Sequence, residues 1–176
     1  WLPRILELKG MSALEASMTA SVFPIGFLVS GPVVGTASDR VGLRKPFILM
    51  LGFGAAALTV LVPYLDALSL WGTVLLAGFT LSGILTLVLV ILSEDPKSSR
   101  LVGSAVGLVS SLGNVGSFFF PVITGFLIDI TSSPVPPLTV LATISAATIM
   151  LSLAMTETGR AKFKPFPPLV SRNVEA

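Results

Sequence analysis

The chain has 176 residues, 53% of them hydrophobic and 11% charged, with a mean hydropathy of +0.93; soluble domains carry about 25% charged residues, so this composition excludes one. Without His or Cys there is no disulfide framework, thiol nucleophile, His-dependent triad or Cys/His metal site, which leaves little to build an enzyme from and implies no cofactor. The net charge of +2 comes from short basic clusters between apolar stretches, a pattern that does not address nucleic acid.

A helix that crosses a bilayer needs about 20 apolar residues. Five stretches reach that length: residues 13–38, 46–65, 68–93, 101–128 and 137–156. The fold class that follows is all-α, a polytopic transmembrane bundle of five spans over residues 1–156. Trp1, Leu2 and Pro3 read as the outer end of a preceding helix, so the chain reads as a piece of a longer protein whose N-terminal helices are its partners. The first span is interrupted by Pro24 and Pro32 and carries Gly31 and Gly35, a pair of small residues one turn apart that lets helices pack closely. The third is opened by Trp71 and ends at Glu94 and Asp95.

The fourth span is the most informative. Gly103, Gly107, Ser110, Asn114, Ser117, Pro121 and Gly125 recur at steps of three or four and share one small, polar face. Gly103 and Gly107 are packing positions. Ser110 and Asn114 suit either a wet substrate pathway or hydrogen bonds between helices. The fifth span is expected to start near Pro137, because Pro134, Pro136 and Pro137 break an earlier helix. In the tail, residues 157–176, Pro165, Pro167 and Pro168 prevent a further helix, and the segment reads as disordered.

Lys and Arg fix the topology, since short loops rich in them stay in the cytoplasm. Arg40, Arg44 and Lys45 follow the first span, Lys97 and Arg100 the third, and Arg160, Lys162, Lys164 and Arg172 the fifth. The alternate loops hold none, and only Arg4 and Lys9 break the pattern. The chain is thus expected in the cell membrane with its start outside and its tail inside. No ionisable residue lies near mid-membrane, so a coupling residue would have to lie elsewhere.

Residues 35–45 read Gly-Thr-Ala-Ser-Asp-Arg-Val-Gly-Leu-Arg-Lys. This loop resembles the Gly-x-x-x-Asp-Arg-x-Gly-x-Arg-Lys signature of the major facilitator superfamily of transporters. The pattern has a physical rationale: Gly35 permits close packing at the helix end, Asp39 offers a carboxylate to a neighbouring helix N-terminus, and Gly42 permits a tight turn. Trp1-Leu2-Pro3 is similar to the end of the family's seventh helix, Gly113-Asn114-Val115-Gly116 to its eleventh, and Glu157-Thr158-Gly159-Arg160 to the ending after its sixth and twelfth. The resemblance places the five spans as helices eight to twelve, the C-terminal half without its first helix.

What the resemblance implies is a secondary transporter of a small solute that works by alternating access, with Gly35, Asp39, Arg40, Gly42, Arg44 and Lys45 as a conformational latch. Asp39 would meet the start of the fourth span near Leu101 to Ser104. Arg40 or Arg44 would meet Glu94 or Asp95. The alternatives are a non-transporting membrane subunit or a truncated, inactive gene product. A channel lacks a ring of charges, and an intramembrane protease lacks paired aspartates in the spans.

Overall fold

The computed structural model describes residues 2–94, 101–154 and 157. It comprises α1 (Leu2–Leu8), α2 (Ala13–Ala20), α3 (Phe23–Val41), α4 (Lys45–Leu61) continued by a 3-10 turn (Val62–Tyr64), α5 (Ala67–Glu94), α6 (Val102–Thr131) and α7 (Val135–Ala154). Among the described residues five stretches are long and apolar enough to cross a membrane: Ala13–Val41, Lys45–Tyr64, Ala67–Glu94, Val102–Thr131 and Val135–Ala154. Among the described residues there is no strand. Helices suit this composition because each satisfies its own backbone, as hydrocarbon requires.

Local chemistry sets the helix limits. Ser12 and Glu15 form a capping box at the start of α2, with the Ser12 hydroxyl accepting from the Glu15 amide at 3.3 Å and the Glu15 carboxylate accepting from the Ser12 amide at 3.0 Å. The first span is two helices in succession, because Pro24 has no N–H and its ring crowds the preceding turn. Gly42 ends α3 in the left-handed region, φ 72°, returning its N–H to the Ser38 carbonyl at 2.9 Å. α7 begins at Val135, slightly earlier than the prolines suggest: Pro136 and Pro137 occupy its first turn, where a missing N–H breaks no helical bond.

α3 and α5 form the closest crossing. A Cβ on Gly26 would lie 2.0 Å from the Leu75 carbonyl oxygen, and one on Gly78 would lie 2.2 Å from that of Phe23. The two backbones therefore touch, and the Ser30 hydroxyl donates across the contact to the Phe79 carbonyl at 2.5 Å. Beside them Val34, Ile48, Leu51, Leu87 and Ile91 join α3, α4 and α5 in an apolar core. At the far end Ile5 packs with Ile128 and Leu138, while Leu6 packs with Ala16 and Leu70. Gly52 seats the Ile149 side chain of α7.

α6 stands apart. Its buried residues are Thr124, Gly125 and Ile128, all in its last third. A Cβ at Gly103 or Gly107 would meet nothing within 4 Å, so the close approach expected there is not made among the described residues. A Cβ on Gly31 would lie 3.5 Å from the Thr86 hydroxyl, an ordinary contact distance, and one on Gly35 would meet nothing within 4 Å. Among the described residues, the glycines where an added Cβ would come within 3 Å of a neighbouring helix are Gly26, Gly52, Gly78 and Gly83.

Gly78→Val is expected to destabilise the bundle by about 1–3 kcal/mol through overpacking, read as a lower thermal midpoint in detergent. Gly72→Val, at a position where a Cβ meets nothing within 4 Å, serves as the control and should change the midpoint little.

Candidate functional site

The loop between α3 and α4 folds around one guanidinium. Arg44 is 1% exposed, although a charged side chain is almost never buried without partners. Its Nε and Nη2 donate to the two Glu94 carboxylate oxygens at 3.1 and 2.7 Å, Nη1 donates to the Ser38 hydroxyl at 2.8 Å, and Nη2 also reaches Asp39 at 2.5 Å. This fork matches a carboxylate in two parallel bonds, which lysine cannot do. Ser38 in turn donates to the Leu43 carbonyl at 2.8 Å, closing the turn that Gly42 opens. The hydrogen bond to Glu94 raises the Arg44 pKa against the opposing effect of burial, so the cation is held charged.

The two acidic arms differ in weight. The Glu94 side chain is 9% exposed and that of Asp39 56%. A solvated pair contributes little, whereas a withdrawn one leaves an uncompensated charge when either partner is removed. Glu94 is therefore the principal arm, and it ties the end of α5 to the start of α4.

A third carboxylate completes the cluster. Glu157, beyond α7, accepts from the backbone amides of Arg44 at 2.7 Å and Lys45 at 3.0 Å, placing an anion on the unpaired N–H groups at the start of α4. Lys45 answers by donating its ammonium to the Leu153 carbonyl at the end of α7, at 2.6 Å. Four segments thus meet here: the end of α3, the start of α4, the end of α5 and the chain after α7. Among the described residues no group of three His, Cys, Asp or Glu is arranged to hold a metal ion.

Of the residues singled out in the sequence, Asp39, Gly42, Arg44, Lys45 and Glu94 come together. Arg40 is exposed at the end of α3, and Asp95 lies outside the described residues. Asp39, expected at the start of the fourth span, accepts from Arg44 of its own loop. The roles of Ser38 and Glu157 were missed. Glu157 was visible only as part of a terminal motif, and nothing in its own neighbourhood announces a cap on a helix 112 residues earlier.

Ser110 and Asn114 lie on the exposed face of α6. They are not among the residues lining the apolar cavity of about 220 Å³ between α4, α5 and α7, whose walls include Phe23, Thr73, Val74, Phe120 and Leu138. The hydroxyls of Thr59, Thr73, Thr80 and Ser145 in that wall donate to carbonyls of their own helices.

A family model described as Major Facilitator Superfamily matches residues 1–173. The chain is 27% identical over 128 residues to a gentisate transporter of Corynebacterium glutamicum, which covers 73% of this chain and 29% of that protein. It is 28% identical over 118 residues to an uncharacterized protein of Archaeoglobus fulgidus, covering 65% of this chain and 54% of that one. The chain thus spans less than a third of one relative and about half of the other. No solved structure gives a significant match.

Arg44→Ala is expected to cost about 3–5 kcal/mol by stranding Glu94, whereas Asp39→Asn should cost no more than about 1 kcal/mol; thermal unfolding of both variants in detergent reads the difference.

Proposed function

The chain belongs to the major facilitator superfamily, and from that premise we propose that it forms helices eight to twelve of a secondary transporter of small solutes working by alternating access. The observation that carries the reading is the buried Arg44 cluster. It gathers the ends of three spans and the segment after a fourth through charged hydrogen bonds, so it can hold that end of the bundle shut and release it as a unit.

We place this end in the cytoplasm. Arg40, Arg44 and Lys45 lie there, in a short loop of the kind that sets topology. At the opposite end Arg4 is paired with Glu7 at 3.1 Å and Lys9 is engaged by backbone carbonyls. The tail after Glu157 follows the fifth span into the cytoplasm. Single-cysteine labelling tests the orientation in a chain that has no cysteine of its own. On intact cells an impermeant maleimide should label Tyr64→Cys, at a side chain 83% exposed, and should reach Arg40→Cys only after permeabilisation. The reverse pattern would reject the orientation.

The solute we propose is a small organic acid of the kind named for the Corynebacterium relative. Ser110 and Asn114 supply neutral hydrogen-bonding groups on a face of α6 that the described residues leave open. A non-transporting subunit would present the same open face, and uptake separates the two readings. Proteoliposomes holding the whole polypeptide to which this chain belongs should accumulate radiolabelled gentisate, and Asp39→Asn should lower both uptake and the accessibility of the outer cavity severalfold. Absence of uptake of gentisate and of other small acids would favour the subunit; unchanged uptake and accessibility in Asp39→Asn would reject the latch.

A further inference from the structure

The apolar cavity between α4, α5 and α7 is larger than close packing leaves. Its volume is about 220 Å³, and a second cavity of about 320 Å³ shares Ala55, Leu81, Leu141 and Ser145 with its wall. Voids in a packed interior rarely exceed a water molecule, because the groups around them forfeit contacts. α1, α3, α4, α5, α6 and α7 each place a residue in the wall of the first cavity, so it lies among helices and not on one open face. Small residues make the room. Ala55 and Ala77 stand in the wall. On α6, Val109 lines the second cavity and Phe120 the first, and Gly113 and Gly116 lie between them at steps of four, three and four along one side of the helix. A Cβ at Gly113 or Gly116 would meet nothing within 4 Å.

The wall is neutral. Among the described residues that line either cavity there is no Asp, Glu, Lys or Arg. The hydroxyls of Thr59, Thr73, Thr80, Ser145 and Thr148 already donate to carbonyls of their own helices. Water, which needs several polar partners, finds no free donor here. A carboxylate would be buried with no cation to answer it, so the acid proposed as the transported solute is not the occupant. Ser110 and Asn114 line neither cavity. A neutral ring does fit, since an engineered cavity of about 150 Å³ walled by Leu, Ile and Phe stays dry and holds benzene. Phe23 of α3 and Phe120 of α6 bring aromatic side chains to the wall from two helices, and a ring packed against them gains edge contacts beyond its buried area.

We propose that this cavity is a binding site for a small neutral aromatic molecule, one ring with a short alkyl substituent, set apart from the path of the transported solute. The ring occupies the space bounded by Ala55, Ala77 and Phe120, and the alkyl group extends past Leu81 and Leu141 towards the second cavity. Binding restores the contacts that the void forfeits, and no polar group has to change its partner. The site does not depend on which solute the chain helps to carry.

Photolabelling of the whole polypeptide in nanodiscs tests the site, with a neutral phenyl diazirine as the probe and mass spectrometry to locate the adducts. The peptides of α4 and α5 that hold Leu58 and Ala77, both in the wall, should be labelled, and excess toluene should protect them. Ala55→Phe fills the junction of the two cavities and should reduce that labelling about tenfold, the effect of overpacking the site. Met50→Phe adds the same ring outside the cavity, at a residue 63% exposed, and should leave the labelling unchanged. Labelling that toluene does not protect, or that Ala55→Phe leaves at the parental level, would overturn the proposal, as would an equal loss in Met50→Phe. Protection by decane equal to that by toluene would overturn it too, since the site would then hold an acyl chain. Equal protection by benzoate, an anion that the wall cannot neutralise, would do the same. If circular dichroism shows that Ala55→Phe has not folded, Ala77→Leu, which narrows the cavity from α5, takes its place; a severalfold loss of labelling supports the site and the parental level overturns it.

Discussion

A guanidinium that cannot give up its charge governs this bundle. Arg44 sits where α3 ends and α4 begins, withdrawn from water, and the structure must bring acceptors to it. The bidentate bond to Glu94 fixes the end of α5, Ser38 fixes the last turn of α3, and Gly42 supplies the left-handed residue that lets the chain turn back towards both. Because the acceptors come from different spans, helix ends cannot separate gradually. Moving α5 away strands a carboxylate and a guanidinium together, so the cluster resists separation of these helix ends.

α4 shows the same electrostatics at both of its ends. Glu157 puts an anion on its N-terminal amides and Lys9 puts a cation on its C-terminal carbonyls, each matching the sign of the helix dipole there. Neither side chain belongs to α4 or to an element adjacent to it in sequence. Between the ends, among the described residues, α3 and α5 approach backbone to backbone through Gly26 and Gly78, and the Ser30 hydroxyl crosses to the Phe79 carbonyl. Charge at the rims and small residues in the middle is what a helix pair in hydrocarbon permits, since packing can replace the hydrophobic drive there but an unpaired ion cannot be tolerated.

The sequence carried the helical class, the five apolar stretches and the loop around Arg44, because each is a local property of composition or spacing. A charge pair between this loop and the end of α5 was legible only as Arg40 or Arg44 meeting Glu94 or Asp95, opposite charges at span ends; the structure pairs Arg44 with Glu94. Packing between particular helices was not. Gly31 with Gly35 and Gly103 with Gly107 have the spacing of close-packing pairs, yet the backbone contact is made by Gly26 and Gly78, which belong to different helices and have no shared pattern in one dimension. The Glu157 cap was hidden for the same reason: a cap is normally found within one turn of its helix, and this one arrives from beyond α7.

α6 is the element that the described residues do least to satisfy. Its polar face holds Ser110, Asn114 and Ser117; the Ser117 hydroxyl bonds to the Gly113 carbonyl of its own helix, while the Asn114 amide has no partner among the described residues. An amide left bare in hydrocarbon costs several kcal/mol. Lipid is therefore the least suitable neighbour for this face, and water or another helix the most suitable. Gly103 and Gly107 lie on the same face with open space above them, and small residues beside an amide admit either a second backbone at close range or a hydrated path. Of the five apolar stretches, α6 is thus the one whose polar face the described residues leave open.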